Sequence, residues 1–118
     1  MLRWMNNCLF CRIASGEAPA RILFADDEVV AFHDIHPQAP VHVLVIPRRH
    51  LDSLTHAAPE DAALLGRLCL AAAEVARRTG IAERGYRVVV NSGAGAGQSV
   101  FHVHLHVLGG RPVGWPPG

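Results

Sequence analysis

Only one stretch of the chain has a helical period over several turns, and this limits the fold more than any other feature. Between Pro59 and Thr79 apolar residues recur at helical spacing, Pro59 suits a first turn, and Gly80 suits the position just past the last turn. The other apolar stretches are short, and they alternate or end at turn residues, as strands do. The pattern predicts an α+β fold in which one long helix crosses one face of a sheet.

Five short stretches predict strands, and one predicts a short N-terminal helix. The segment "CLFCRIASG", Cys8 to Gly16, is typical of a helix closed by glycine. The predicted strands are "ARILFADD", "EVVAFHD", "VHVLVIP", "YRVVVNS" and "HVHLHVL". Short connections favour mostly antiparallel pairing, and the long helix falls between the third and fourth strands. We expect one domain over residues 1–118, with residues 109–118, rich in Gly and Pro, as an extended arm.

Composition excludes several classes of protein. The chain has 118 residues, is half hydrophobic and has a formal net charge of +1, which argues against disorder and against a strongly basic nucleic-acid surface. Three sparse cysteines do not form a secreted disulfide framework. The opening "MLRWMNNCLF" has no signal-peptide core, and no apolar run is long enough to span a membrane. We expect a cytoplasmic protein with reduced thiols and no nucleic-acid or membrane partner.

The stretch "FHVHLHVL" has His102, His104 and His106 at every second position, so a strand would place all three imidazoles on one face. Neighbouring histidines would then lie about 7 Å apart at the backbone and the outer pair about 13 Å. Because zinc lies only about 2 Å from a nitrogen ligand, the geometry of a regular strand argues against one metal ion bound by all three histidines. We therefore favour the interpretation in which the three histidines have different roles. A polar strand whose histidines only meet water is the alternative.

The glycine-rich loop "SGAGAGQS" precedes the histidines. It joins two predicted strands and opens no helix, so it is not a dinucleotide fingerprint, and a flexible hairpin loop is one interpretation. Gln98 and Ser99, together with amides freed by glycine, favour a neutral grip for an anion such as phosphate. A neutral histidine beside such a grip has a nitrogen lone pair that can attack phosphorus.

The pair Cys8 and Cys11 is half a zinc site, a redox pair or two buried thiols. His50 and one histidine of the triad are available to complete a zinc site. Cys69, on the apolar side of the long helix, is predicted to be a small core residue. The remaining histidines are weaker candidates: His42 either faces the triad or is a satisfied core residue, and His36 and His56 are predicted at the surface.

The segment "HVHLHVL" resembles the motif of the histidine triad family. The segments "AFHDIHPQAPVHVLVIPRRH", "YRVVVN", "GQSVFHVHLHVLGG" and "WPPG" resemble its Hint branch, the purine nucleoside phosphoramidases, over nearly the whole chain. The resemblance implies a homodimer in which two five-stranded sheets join. It also implies hydrolysis of purine nucleoside 5′-phosphoramidates such as derivatives of AMP or GMP, with no organic cofactor.

By the same resemblance His104 is the nucleophile, His106 contacts the α-phosphate, and His42 belongs to the inner shell of the site. The positions that match nucleotide contacts are Asp34, Ile35 and Asn91 for the nucleoside, Gly97, Gln98 and Ser99 for the phosphate and leaving group, Leu9, Phe10 and Ile13 for the base, and Trp115 for the partner's site.

Bacterial members of the family often carry zinc, and their ligand positions correspond here to Cys8, Cys11, His50 and His102. Such a set leaves no position for water, so the zinc would be structural, and this argues against a zinc hydrolase. The Hint branch often lacks the cysteines, so the chain mixes features of two groups. A nucleotide-binding or protein-interaction module with vestigial catalysis is the alternative function, and His36 receives no role.

Overall fold

The computed structural model describes residues 7–118, so residues 1–6 of the expected domain, including most of the opening segment, lie outside the described residues. It contains two helices and five strands. Helix α1 is Leu9–Ser15 and α2 is Ala62–Thr79. The strands are β1 (Ile22–Ala25), β2 (Val29–His33), β3 (Val41–Pro47), β4 (Tyr86–Val89) and β5 (Leu105–Gly109). The predicted α+β class is confirmed.

The five strands form one sheet in the order β1-β2-β3-β5-β4, and every neighbouring pair is antiparallel. Helix α2 lies in the connection from β3 to β4, as predicted. Strand β5 therefore lies between β3 and β4, while β1 and β4 are the edges of the sheet. This order gives the histidine-bearing strand a neighbour on each side.

Each face of the sheet has its own apolar core, because successive strand residues point to opposite faces. Helix α2 covers one face and α1 the other. The core on the α2 face includes Val43, Val45, Leu68, Ala72, Val75, Leu105 and Val107. The core on the α1 face is Phe10, Ile13, Ala18, Val30, Phe32, Leu44 and Ile46. Strands β2 and β3 are consequently buried on both sides, which makes them a rigid support for the polar groups at their ends.

The helix ends follow the sequence closely. Gly16 and Gly80 adopt left-handed conformations, with φ of 83° and 79°, and close α1 and α2. Pro59 starts a single 3-10 turn, Pro59–Asp61, and α2 begins directly after it. The prediction for Cys69 is wrong, since its side chain is exposed. It follows the fully buried Leu68 by about 100° around the helix, which turns it away from the sheet.

Strand β5 begins at Leu105, three residues later than the alternation in "HVHLHVL" predicts. The ladder between β3 and β5 ends at the pair Val45 and Leu105. Extending its register would bring Val103 opposite Pro47, which has no N–H to donate. The Val103 N–H donates instead to the carbonyl of Leu51, 2.7 Å away. The chain before β5 thus leaves the ladder and pairs with the segment that follows β3.

The residues after β5 form no helix or strand. The Arg111 guanidinium donates to the carbonyl of Gln38 at 2.9 Å, and Arg87 donates to that of Gly114 at 2.7 Å. These bonds hold the arm along the sheet. Among residues 7–118, no helix is both long and apolar enough to cross a membrane.

Candidate active site

The first histidine of the triad lies in a cluster with two cysteines and His50. The Cys8 Sγ is 3.3 Å from the Nδ1 of His102, and the Cys11 Sγ is 3.3 Å from the Nδ1 of His50. One potential ligand atom from each of the four side chains falls within 4.8 Å of all the others. The predicted grouping of these residues is confirmed, although they come from three distant parts of the chain.

The chemistry of this cluster fits a tetrahedral metal ion. Zinc bonded to two sulfurs and two nitrogens would place neighbouring ligand atoms about 3.3–3.8 Å apart, close to the contacts observed. The other nitrogens are already occupied. The Nε2–H of His102 donates to the carbonyl of Pro47 at 2.7 Å, and the Nε2 of His50 is 2.5 Å from the Asp52 carboxylate. Such partners orient a histidine ligand, and here they leave both Nδ1 atoms facing the thiols.

Burial sets the protonation of the cluster. It lowers the pKa of His102 to about 4, so the imidazole is neutral near pH 7, as a ligand must be. Burial also raises the pKa of Cys11 to about 11, helped by the neighbouring thiol of Cys8. A metal ion that binds here therefore has to displace a proton from sulfur.

The middle histidine has a free nitrogen that faces away from the backbone. The Nδ1–H of His104 donates to the carbonyl of His102 at 2.8 Å, so its Nε2 carries the lone pair. The ring is buried and meets the edge of the Phe10 ring, with centroids 5.0 Å apart and an angle of 89°. Its orientation is therefore fixed by one hydrogen bond and one aromatic contact.

The last histidine of the triad is oriented through His42. The backbone N–H of Gln38 donates to the Nδ1 of His42 at 3.0 Å, which leaves the proton of that ring on Nε2. This Nε2–H lies 2.9 Å from the Nδ1 of His106 and 3.4 Å from a carboxylate oxygen of Asp34. His106 thus accepts at Nδ1 and carries its own proton on Nε2. The interpretation of His42 as a partner of the triad is confirmed by this contact.

Burial keeps this pair neutral. Desolvation lowers the pKa of His106 to about 4, and it also lowers the pKa of His42, against the opposing effect of Asp34. The rings of His104 and His106 lie 4.9 Å apart between centroids. Near pH 7 the site therefore offers a neutral N–H donor on His106 beside the His104 ring.

The side chain of Gln98 does not present the free amide that the sequence suggests. Only 3% of the residue is exposed. Its Oε1 accepts from the Gly93 N–H at 2.7 Å, and its Nε2 donates to the carbonyls of Asp52 and Val100 at 2.7 and 3.1 Å. The amide is engaged at both ends. Of the two side chains expected to grip phosphate, only the exposed Ser99 is free to do so.

The expected nucleoside-contacting residues differ in exposure. Ile35 is 84% exposed and Trp115 83%, whereas Asp34 is half-buried and accepts from the N–H of His36 at 2.8 Å. Phe10 and Ile13 are buried in the core, while Leu9 is 45% exposed. Asn91 is half-buried, and Gly97 has a positive φ of 92° that closes a 3-10 turn. His36 and His56 are exposed, as predicted.

A cavity of about 720 Å³ opens beside the metal-ligand cluster. Its lining residues are Asn7, Cys8, Leu9, Cys11, His50, Asp52, Ser99, Val100 and Phe101. The cavity thus joins the edge of the cluster to Leu9 and Ser99, which were predicted to contact different parts of a nucleotide.

Three polar groups of the site were not predicted from the sequence. These are the backbone N–H of Gln38, the carbonyl of Pro47 and the carboxylate of Asp52. Two of them are main-chain groups, on which side-chain patterns carry no information. Asp52 had a usable signal, since it follows His50 by two residues and carboxylates commonly orient histidine ligands.

Within residues 7–118, the five-stranded sheet, the one long helix and the three histidines that lead into a central strand define a histidine triad protein. The HIT domain family model matches residues 15–113, and the chain belongs to this family. An uncharacterized HIT-like protein of Synechocystis is 56% identical over 113 residues, covering 96% of this chain and 98% of the relative.

Solved structures show the same fold. A HIT family hydrolase from Legionella pneumophila superposes with a TM-score of 0.93 at 48% identity, covering 95% of this chain and 100% of that one. A histidine triad nucleotide-binding protein from Candida albicans gives 0.78 at 34% identity, covering 92% and 82%. The chain therefore has the fold of the HIT family hydrolases. These likenesses establish the family and not one branch of it.

Proposed function

We propose that the protein hydrolyses purine nucleoside 5′-phosphoramidates through a nucleotidyl intermediate on His104. The observation that carries this proposal is a ring nitrogen with a free lone pair on His104 beside a ring nitrogen that carries a proton on His106. The Nε2 of His104 has a lone pair because its Nδ1–H is bound to a carbonyl, and the neighbouring His106 carries its proton on Nε2 because His42 occupies its Nδ1. A nucleophile beside a neutral donor suits displacement at phosphorus.

The reaction would proceed in two displacements. The Nε2 of His104 attacks the α-phosphorus, the bond from phosphorus to the amine nitrogen breaks with its electron pair on that nitrogen, and the nitrogen takes a proton from solvent water as the amine leaves. The His106 N–H and the Ser99 hydroxyl donate to the phosphoryl oxygens as charge develops, whereas the Gly97 N–H expected to join them already donates to the carbonyl of Ala94 at 3.0 Å. Water then attacks the same phosphorus, and the bond to His104 breaks to give a nucleoside 5′-monophosphate.

The nucleoside would lie between α1 and the end of β2. Asp34 accepts hydrogen bonds from the ribose hydroxyls, Ile35 covers the nucleoside, and Asn91 lies near the ribose and phosphate. Leu9 supplies exposed apolar surface for a flat purine, with Phe10 and Ile13 supporting it from below. The Hint branch is the part of the family that these roles fit best, and the Candida albicans protein named as nucleotide-binding supports a nucleotide ligand.

Zinc is the proposed metal of the four-residue cluster, with Cys8, Cys11, His50 and His102 as ligands. When bound, it would act as a structural ion, because four protein ligands close its coordination shell. Its effect on the reaction would be indirect. The carbonyl that holds the nucleophile belongs to His102, so a fixed His102 keeps His104 in place.

We propose a homodimer as the working assembly in the cytoplasm. Strand β4 is an edge of the sheet, and Val88 on it is 42% exposed, so a second copy has an open edge to pair with. Trp115 on the arm would then contribute to the partner's site. Sedimentation of the wild-type protein as a monomer at micromolar concentration would contradict this assembly.

The chemistry is tested by incubating the protein with an adenosine 5′-phosphoramidate, quenching with denaturant at neutral pH, and searching for a nucleotidyl adduct by mass spectrometry. The wild type should form the adduct and release AMP. His104→Ala should do neither, while His56→Ala, a change at an exposed histidine, should retain both. Equal turnover by His104→Ala would refute the nucleophile, and AMP binding by an inactive wild type would favour the binding module.

Zinc is tested by elemental analysis of protein purified without added metal. About one zinc ion per chain is expected for a closed four-ligand site. Cys11→Ser should lower this content, whereas Cys69→Ser, at the exposed cysteine outside the cluster, should not. Zinc-free wild type after zinc-replete growth would remove the metal from the proposal.

A further inference from the structure

The glycine-rich loop before the triad is closed by one buried amide. The backbone N–H of Gln98 donates to the carbonyl of Gly93 at 3.1 Å, and its side-chain Oε1 accepts from the N–H of the same residue at 2.7 Å. The two residues are thus joined by a pair of hydrogen bonds. Between them lies only the 3-10 turn Ala94–Ala96 and Gly97.

The same amide fastens the loop to another part of the protein. Its Nε2 donates to the carbonyl of Asp52 and to that of Val100. Asp52 also orients His50 through its carboxylate, and its neighbour Leu51 accepts from Val103. The hydrogen bonds of the Gln98 amide are therefore among those that hold residues 98–104 against the segment after β3.

We propose that Gln98 is a positioning residue, which holds the loop of residues 93–100 so that the Ser99 hydroxyl faces the phosphate, and that its side chain does not bind phosphate. This inference rests on the proposed function for its catalytic part. Because both N–H donors of the buried amide are already bound to carbonyls, the side chain has no donor left for a phosphate oxygen, and releasing it would leave main-chain groups without partners. Ser99, next in the chain and exposed, is placed by this anchor.

Gln98→Met tests the idea, since methionine has a similar length and shape but neither donates nor accepts strongly. The exchange rate of the Gly93 amide hydrogen is measured by NMR in the protein without nucleotide. Loss of one buried hydrogen bond should raise this rate roughly tenfold or more. Amides of β3 should stay protected, which shows that the variant is folded. Thr55→Val, which removes a 2.9 Å hydroxyl contact with Ser92 at the start of the loop, is the matched control and should change neither measurement.

We expect the substitution to change kcat more than it changes the affinity for nucleotide. With an adenosine phosphoramidate, Gln98→Met should lower kcat roughly tenfold or more, since a misplaced donor is felt most in the transition state, and should change AMP affinity by a smaller factor. Gln98→Glu keeps the acceptor for Gly93 and loses both donors. It should keep Gly93 protected and also lower kcat.

Other results would overturn the proposal. Unchanged Gly93 exchange in Gln98→Met, together with weaker AMP binding, would make Gln98 a direct phosphate ligand. Faster exchange with unchanged kcat would show that loop order does not matter for the reaction. An inactive wild type would refute the proposed function, and the Gly93 measurement, which needs no substrate, would then still decide whether Gln98 holds the loop.

Discussion

Replacing His42 by phenylalanine should lower activity because His42 fixes the proton of His106. Phenylalanine keeps the ring volume but removes both nitrogens. The His106 Nδ1 then loses the donor 2.9 Å away, and the Gln38 N–H loses its acceptor at 3.0 Å. Each orphaned buried group costs about 1–3 kcal/mol. The cost at His106 raises the activation free energy if the His106 N–H donates in the transition state. An increase of about 1.4–2.8 kcal/mol corresponds to a decrease of about 10- to 100-fold in kcat.

His42→Gln provides the matched comparison, since its amide can donate toward His106 while it cannot replace both ring nitrogens. We expect its kcat to lie between those of the wild type and His42→Phe. Rates are measured by release of AMP from an adenosine phosphoramidate under saturating substrate, with urea denaturation to follow the free energy of unfolding. A wild-type kcat in His42→Phe would refute the reasoning, because His106 would then hold its proton without help.

Three further predictions concern stability and metal. Gly109→Ala would bring a new Cβ within 2.6 Å of the Ile81 Cδ1, so the free energy of unfolding should fall by about 1–3 kcal/mol while kcat stays unchanged. The double variant with Ile81→Val should recover part of this stability. Additive effects of the two substitutions in urea denaturation would contradict the proposed contact. Chelation of zinc should lower the melting temperature of the wild type much more than that of Cys11→Ser; equal shifts would show that the effect lies outside the cluster. Burial lowers the pKa of His42, and it lowers that of His106 from 6.5 to about 4, so between these pH values the unfolded chain binds more protons than the folded one. The free energy of unfolding should therefore fall as the pH drops from 6.5 to 4. His106→Gln should weaken this dependence on pH, and an unchanged dependence would refute the contribution of His106.

The sequence predicts the fold well where local pattern and tertiary contacts agree. The apolar run of β3 and the glycine after α2 both describe what the structure contains, since each follows from the conformation of a few neighbouring residues. The alternation in "HVHLHVL" fails over its first half, because pairing there depends on Pro47, which lies 55 positions before His102 in the chain. A periodicity argument contains no information about the partner strand.

The site shows the same division. Residue types and spacing suggested Cys8, Cys11, His50 and one histidine of the triad as a possible site, and only the resemblance to the family named that histidine as His102. They also suggested His42 as a possible partner of the triad. They were not enough to show how Gln98 uses its amide, because the decisive partners are carbonyls and an N–H whose positions depend on the whole fold. The likeness to the family assigned Gln98 to the phosphate and leaving group and left its hydrogen bonds unspecified.

The end of β3 explains how one segment serves several parts of the site. The ladder with β5 ends two residues before Pro47, and the carbonyls of residues 47, 51 and 52 lie outside it. Each of these carbonyls accepts from a different group near the triad, namely His102 Nε2, the Val103 N–H and Gln98 Nε2. The same segment supplies His50 to the metal-ligand cluster. A regular strand would have used these carbonyls in its own ladder. Here they accept instead from groups near the triad, and the bond to Pro47 holds His102 with its Nδ1 toward the cysteines. His104, two residues later, is held in turn by the His102 carbonyl.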